Sequence, residues 1–198
     1  MKPQYVVKTN SGTVVKDPPI ASLLFNDTRL APVWGIIRVF LGIAWLQAGL
    51  HKLEDPAWTV TGEALKGFWV ASIPKSGFVW YGGFLQSLVD SGSYTWFAKL
   101  IVAGELLVGI ALILGAFVGI AALFGGFMNW NFIMAGSASV NGLYFFAAVL
   151  LILAWKTAGH YGLDRYLLPR LGTPWKNDEP EVKTAPAATP AGLSPTKA

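Results

Sequence analysis

Four stretches of the chain are apolar enough to leave water, and polar or irregular sequence divides the first from the rest. The first runs from about Val33 to Leu53. Pro32 stands where the first turn of a helix tolerates proline, and Pro56 follows the end. A second stretch covers about Phe97 to Ala116, a third about Phe117 to Gly136, and a fourth about Asn141 to Trp155. The fourth is shorter than the roughly 20 residues that cross a 30 Å hydrocarbon core, so it is expected to continue into Lys156 and Thr157. The second and third abut almost without a loop, and Gly115 and Gly119 are expected to make the turn of a tight membrane hairpin. The pattern predicts an all-α membrane protein, a bundle of four transmembrane helices.

The connection between the first two stretches is too aromatic for a plain linker. Leu65, Phe68, Trp69, Ser72 and Ile73 fall on one helical face, and Phe78, Tyr81, Leu85 and Leu88 trace a second stripe beyond Pro74. Short amphipathic helices at the membrane interface fit this pattern; a small cap packed on the bundle is the alternative. Residues 1–31 read as a polar, irregular tail, with Asp17-Pro18-Pro19 set against a regular helix. The membrane domain is expected over 32–172, with a disordered tail over 173–198, Pro/Ala/Thr/Lys-rich from Asn177.

Composition agrees with the pattern. Of 198 residues 54% are hydrophobic and 13% charged, about half the charged share of a soluble domain. Between Leu100 and Trp155 the single charged residue is Glu105. There is no cysteine, which excludes disulfides, thiolate chemistry and Cys-ligated zinc or iron–sulfur sites. No haem or other metal site is expected either, since the two histidines, His51 and His160, fall at opposite ends of the membrane region. A net charge of +4 is read as topogenic rather than as a nucleic-acid footprint. Lys2, Lys8, Lys16 and Arg29 precede the first stretch, and Lys156, Arg165, Arg170, Lys176, Lys183 and Lys197 follow the fourth. The long loop holds Lys66 and Lys75, with Lys52 and Lys99 at its edges. Both termini are therefore expected in the cytoplasm and the loop outside it.

Ionisable groups inside membrane helices are costly and point to function. Arg38 and Glu105 qualify, with Gln47, Asn129 and Asn131 as neutral companions. Arg38, Gly42, Trp45, Gly49 and Lys52 alternate steps of four and three, so they form one stripe whose small residues permit close helix approach. A rise of about 1.5 Å per residue puts Glu105 about 10 Å below the outer boundary, near Gln47 and Asn131, with His51 and Lys52 just above. Either Lys52 or Arg38 can serve as its charge partner, as a site or as bundle glue. Asn129 and Asn131 lie about 200° apart on a helix and cannot face one point. His51 is a candidate for proton exchange near neutral pH or an interfacial anchor.

Several of these residues carry a family resemblance. The run from Arg38-Val39-Phe40-Leu41-Gly42 through Ala48-Gly49-Leu50-His51-Lys52-Leu53 resembles the opening helix of the DoxX/DoxD family. Gly104-Glu105-Leu106-Leu107-Val108-Gly109 is similar to its second-helix signature, and Asn129-Trp130-Asn131 and Gly159-His160-Tyr161-Gly162-Leu163-Asp164-Arg165 to later blocks. The resemblance implies a four-helix protein of the bacterial cytoplasmic membrane, related to the small subunit of thiosulfate:quinone oxidoreductase. The expected function is an integral membrane component of a quinone-linked oxidoreductase, oxidising thiosulfate to tetrathionate. A non-enzymatic scaffold or anchor subunit of a redox complex is the alternative. Quinone is the expected cofactor, and lipid, quinone and a second subunit the expected partners. Glu105, His51 and Lys52 are taken as the catalytic candidates, and Arg38, Gln47, Asn129 and Asn131 as the cofactor-binding ones.

Overall fold

The computed structural model describes residues 17–172 in full, and of the preceding segment the backbone of two strands, β1 (Val6–Thr9) and β2 (Gly12–Val15), paired antiparallel. The expected disordered tail from Thr173 lies outside the described residues. Apart from that hairpin the described chain is helical. Pro19, expected to prevent a helix, opens one: α1 spans Pro19–Asn26 with proline in its first turn, where no N–H partner is lost.

Helix α2 (Ala31–Leu53) is followed by the single turn α3 (Pro56–Thr59), by α4 (Glu63–Ser72) and by α5 (Val79–Asp90). Then come α6 (Tyr94–Leu114), α7 (Val118–Met134) and α8 (Asn141–Leu153). After a break at Ala154 the short α9 (Trp155–Ala158) takes up Lys156 and Thr157, into which the fourth stretch was expected to continue, and α10 (Asp164–Arg170) closes the described chain. The helix that includes α2 and α6 are each long and apolar enough to cross a membrane; α7 and α8 are shorter apolar helices.

Four helices build the bundle as two close pairs, α2 with α6 and α7 with α8. The stripe on α2 lies against α6. A Cβ on Gly42 would stand 2.9 Å from the backbone nitrogen of Ile113, and one on Gly109 would stand 2.7 Å from that of Leu46. Hydrogen there is what lets the backbones meet. The core between the pairs holds Leu41, Trp45, Val108, Leu112, Ala122, Ala148 and Leu151. Outward, Ile36, Phe40, Leu107, Phe124 and Phe146 remain exposed, an apolar girdle that suits lipid and not water.

The turn between α6 and α7 differs from expectation. Gly115 takes the left-handed conformation at φ 68°, and Phe117, not Gly119, is the second positive-φ residue at 48°. Gly119 lies inside α7, where its missing side chain makes room for Trp155.

The amphipathic pieces α4 and α5 form a cap with its own core. Leu65, Trp69, Tyr81 and Leu85 pack against Ala98 and Ile101 of α6 and Met134 at the end of α7. Phe78, Val79, Trp80 and Phe84 of the same segment face outward. At the opposite end of the bundle α1 packs on α9 and on the start of α2. Thr157 Oγ1 donates to the Phe25 carbonyl at 3.0 Å, and Trp34 Nε1 to that of Leu24 at 2.7 Å.

Candidate functional site

A cavity of about 300 Å³ opens between the two helix pairs beneath the cap. α2 brings Trp45 and Lys52 to it, α6 brings Glu105, α7 brings Asn129 and Phe132, and α8 brings Asn141 and Tyr144. Trp58 and Phe68 close it from the cap side. Asp55 fixes Trp58 locally: its carboxylate accepts the Ala57 N–H at 2.8 Å, and Pro56 supplies the preset first helical residue of α3.

The register of α2 on α6 decides the charge pairing. Lys52 Nζ donates to both carboxylate oxygens of Glu105, at 3.0 and 2.9 Å. The Glu105 side chain is 1% exposed and that of Lys52 18%, so the pair is closed on the bundle side and reaches solvent through the lysine. Trp58 lies over the ammonium, with the nitrogen 5.2 Å from the ring centroid, a cation–π contact that keeps the cation at the cavity wall.

Two polar groups beside the pair have no partner. Asn129 is fully buried, and both its amide nitrogen and its amide oxygen lack a hydrogen bond; so does the Trp45 indole nitrogen. The indole reaches α7 because residue 125 is glycine, whose Cβ would stand 3.0 Å from Nε1. Native interiors leave few such groups unsatisfied.

Of the seven residues expected at the site, Lys52, Glu105 and Asn129 line this cavity, and four do not. Gln47 and His51 are exposed on other faces of α2. Asn131 turns away as the helical angle requires: its Oδ1 accepts from the Tyr81 hydroxyl at 3.0 Å and its Nδ2 donates to the Phe127 carbonyl at 2.8 Å. Arg38 stands fourteen residues before Lys52, about 21 Å along the helix. There it donates to the carbonyls of Leu112 and Ile113, which end α6, and at 3.3 Å to that of Tyr161. A cation at a helix C-terminus is favoured by the exposed carbonyl dipoles.

Asp164 completes that distant cluster and had no role in the sequence reading. Its carboxylate accepts the N–H of Phe117 at 2.5 Å and of Val118 at 2.9 Å, the first donors of α7. Burial raises its pKa, against the lowering effect of those N–H groups and of Arg38. Arg38 and Asp164 thus bind the two ends of one interhelical turn, a structural clasp. Trp58 and Tyr144 also escaped sequence reasoning, and Phe68 was read only as part of an amphipathic face, because an aromatic residue near a membrane boundary signals nothing beyond the usual belt.

The family model described as DoxX matches residues 33–138, which include Lys52, Glu105 and Asn129 and end before α8. No curated protein and no solved structure matches the chain.

Proposed function

The chain belongs to the DoxX family, a membrane family associated with quinone-linked redox functions, and from that premise we propose that the cavity binds the head group of a quinone. The observation that carries the reading is Asn129, a fully buried amide with neither end satisfied, set beside an unpartnered indole N–H. A bundle that used its polar groups only as glue would have no reason to leave both open.

The residues fit the group. Trp45, Trp58, Phe68, Phe132 and Tyr144 supply ring faces for stacking. Trp45 Nε1 and Asn129 Nδ2 are donors for a carbonyl oxygen, and a turn about the broad final torsion of Asn129 offers either of its atoms. A bound quinone supplies a two-electron, two-proton acceptor. Lys52 Nζ holds a proton at the wall, and Glu105 fixes it there. With no cysteine to relay electrons, these come from the donor substrate or from a partner subunit.

Thiosulfate fits the cavity less well. Lys52 is the one cation among the lining residues and Glu105 neutralises it, whereas a desolvated dianion needs uncompensated positive charge. We therefore assign the cavity to the quinone side of the reaction and place the sulfur chemistry elsewhere, on a partner. The closed ion pair favours a second reading, a scaffold subunit, under which nothing binds.

Binding separates the two. A tail-less benzoquinone titrated into purified protein should quench tryptophan emission saturably, and Asn129→Leu and Trp45→Phe should each weaken it several-fold. A linear, unsaturable quench indifferent to both substitutions gives the scaffold reading the field. We further propose four spans with both termini cytoplasmic. In this cysteine-free chain single cysteines at Ser11 and Ser194 should resist impermeant thiol reagents in intact cells, while one at Ser76 should label; the reverse pattern inverts the orientation.

A further inference from the structure

We propose that a ring ligand reaches the cavity through the seam between α2 and α8, and that Ala44 and Ala48 keep this mouth open. The inference rests on the head-group reading and adds the route.

The bundle is not equally tight on all its sides. α2 packs closely on α6, and α7 on α8, while α6 and α7 are joined by their turn; α2 and α8 touch least. At the end away from the cap, α9 draws the two together by packing on α2. Further along α8, Ala148 and Leu151 are fully buried in one core with Leu41 and Trp45 of α2. Toward the cap the same side is unfilled. Ala44 and Ala48 of α2 and Val140, Asn141 and Tyr144 of α8 all line the cavity, yet Val140 is 53% exposed and the rest are half-buried. The opposite wall is sealed, since Glu105 and Asn129, from α6 and α7, are buried.

Small residues on a membrane helix ordinarily let a second backbone approach. Gly42 and Gly49 of α2 do this, for a Cβ on either would stand 2.9 Å from an atom of α6. Ala44 and Ala48 are turned at least about 100° from those glycines, toward the side where α8 stands off. The room their short side chains leave goes instead to the cavity, where Asn129 and the Trp45 indole nitrogen are buried without partners. A gap that served helix packing alone would not lead to unsatisfied polar groups.

The rim sets what can pass. Phe40, one turn before Ala44, and Leu143, beside Tyr144, are both exposed, and neither offers a hydrogen bond or a charge. An uncharged ring loses nothing there, whereas an anion would shed water with no partner to replace it. The other way in is from the cap, the side that Trp58 and Phe68 close.

The test measures rates, on the full chain in detergent, by stopped-flow tryptophan quenching. The probe is tetramethyl-benzoquinone, whose ring has no free position for a thiol to add. Ala48→Leu puts bulk in the mouth and should slow both association and dissociation by about fivefold or more. Dissociation decides the cause: an obstructed passage slows departure too, whereas crowding of the bound ring speeds it. Should Ala48→Leu fail to fold, Ala48→Cys, folded first and then converted to its propyl disulfide, should show the same slowing, and a reductant should restore both rates. A cysteine at 48 that the reagent cannot reach in the folded protein means a closed seam and overturns the proposal. Unchanged association, or faster dissociation, overturns it as well. Faster association in Trp58→Ala with none of the slowing at 48 puts the entrance at the cap. Failure of the probe to bind wild type overturns the head-group reading, whereas normal binding with unchanged rates in the variant at 48 overturns the route alone.

Discussion

Asn129→Leu offers a sharp test because stability and binding should move in opposite directions. Leucine has nearly the shape of asparagine, so the substitution changes polarity with little change in packing. Both amide atoms of Asn129 are buried without a partner, and a buried unsatisfied polar group costs about 1–3 kcal/mol that a wet one does not. Replacing it by an apolar group should return about that much. For a chain of this size about 2 kcal/mol corresponds to a rise of about 4–8 °C in melting temperature, measurable by tryptophan emission or by scanning calorimetry in detergent. Binding of a ring ligand should weaken about tenfold at the same time, the equivalent of about 1.4 kcal/mol. Asn131→Leu, two residues away, is the internal control with the opposite sign. Both ends of its amide are used, and its loss leaves the Tyr81 hydroxyl only its longer bond to the backbone carbonyl of residue 131 at 3.2 Å, so melting should fall, by less than it rises at 129. If Asn129→Leu melts well below wild type, its amide is satisfied and structural, and the argument for a ligand fails. If it is more stable and binds as before, the polar vacancy is real but lies outside the ligand site.

The Lys52–Glu105 pair should behave as a unit. Glu105→Gln strands a cation and should cost about 3–5 kcal/mol, and Lys52→Met in the same chain should recover most of it in a double-mutant cycle read by detergent melting. At the other end, Asp164→Ala should lower stability by about 1–3 kcal/mol through the loss of a buried cap. Because burial raises the Asp164 pKa, the folded chain takes up this proton more readily than the unfolded one. Stability from this group is therefore present at low pH and lost as pH rises through the shifted value; melting against pH should show that slope, and Asp164→Asn should flatten it. Gly109→Leu should separate α2 from α6 and abolish the folded species in size-exclusion runs, since its Cβ would meet Leu46 backbone at 2.7 Å. Gly67→Ala on α4, where a Cβ meets nothing within 4 Å, should instead stabilise by about 0.5–1 kcal/mol.

Much of the fold was legible because burial in lipid demands long apolar runs, and these survive in sequence. The stripe from Arg38 to Lys52 was legible for the same reason, since five residues at helical steps share a face whatever they touch. The identity of Glu105's partner was not. It depends on the axial register of two helices, which Gly42 and Gly109 set through contacts between segments far apart in the chain. Depth along the helix put Asn131 beside Glu105, yet rotation about the helix turns it towards Tyr81 and brings Asn129 to the cavity instead. Gly119 read as a turn because two glycines near a hairpin are ambiguous between freedom of φ and absence of bulk; the structure uses one for each. The helix from Pro19 was missed by reading proline as a breaker where it serves as an opener.

The clasp at the α6–α7 turn has a consequence in time. Asp164 follows the N–H groups it binds by 46 and 47 residues. At about 5–20 residues per second of synthesis, the hairpin waits roughly 2–9 s for the residue that seals it. During that interval the first donors of α7 must be served by water or headgroups at the membrane edge, and the Tyr161 carbonyl that Arg38 uses has not yet been made. Assembly of this bundle therefore finishes from its last-made segment inward, and a ribosome stalled before Leu163 would hold inserted helices with their turn still unlocked.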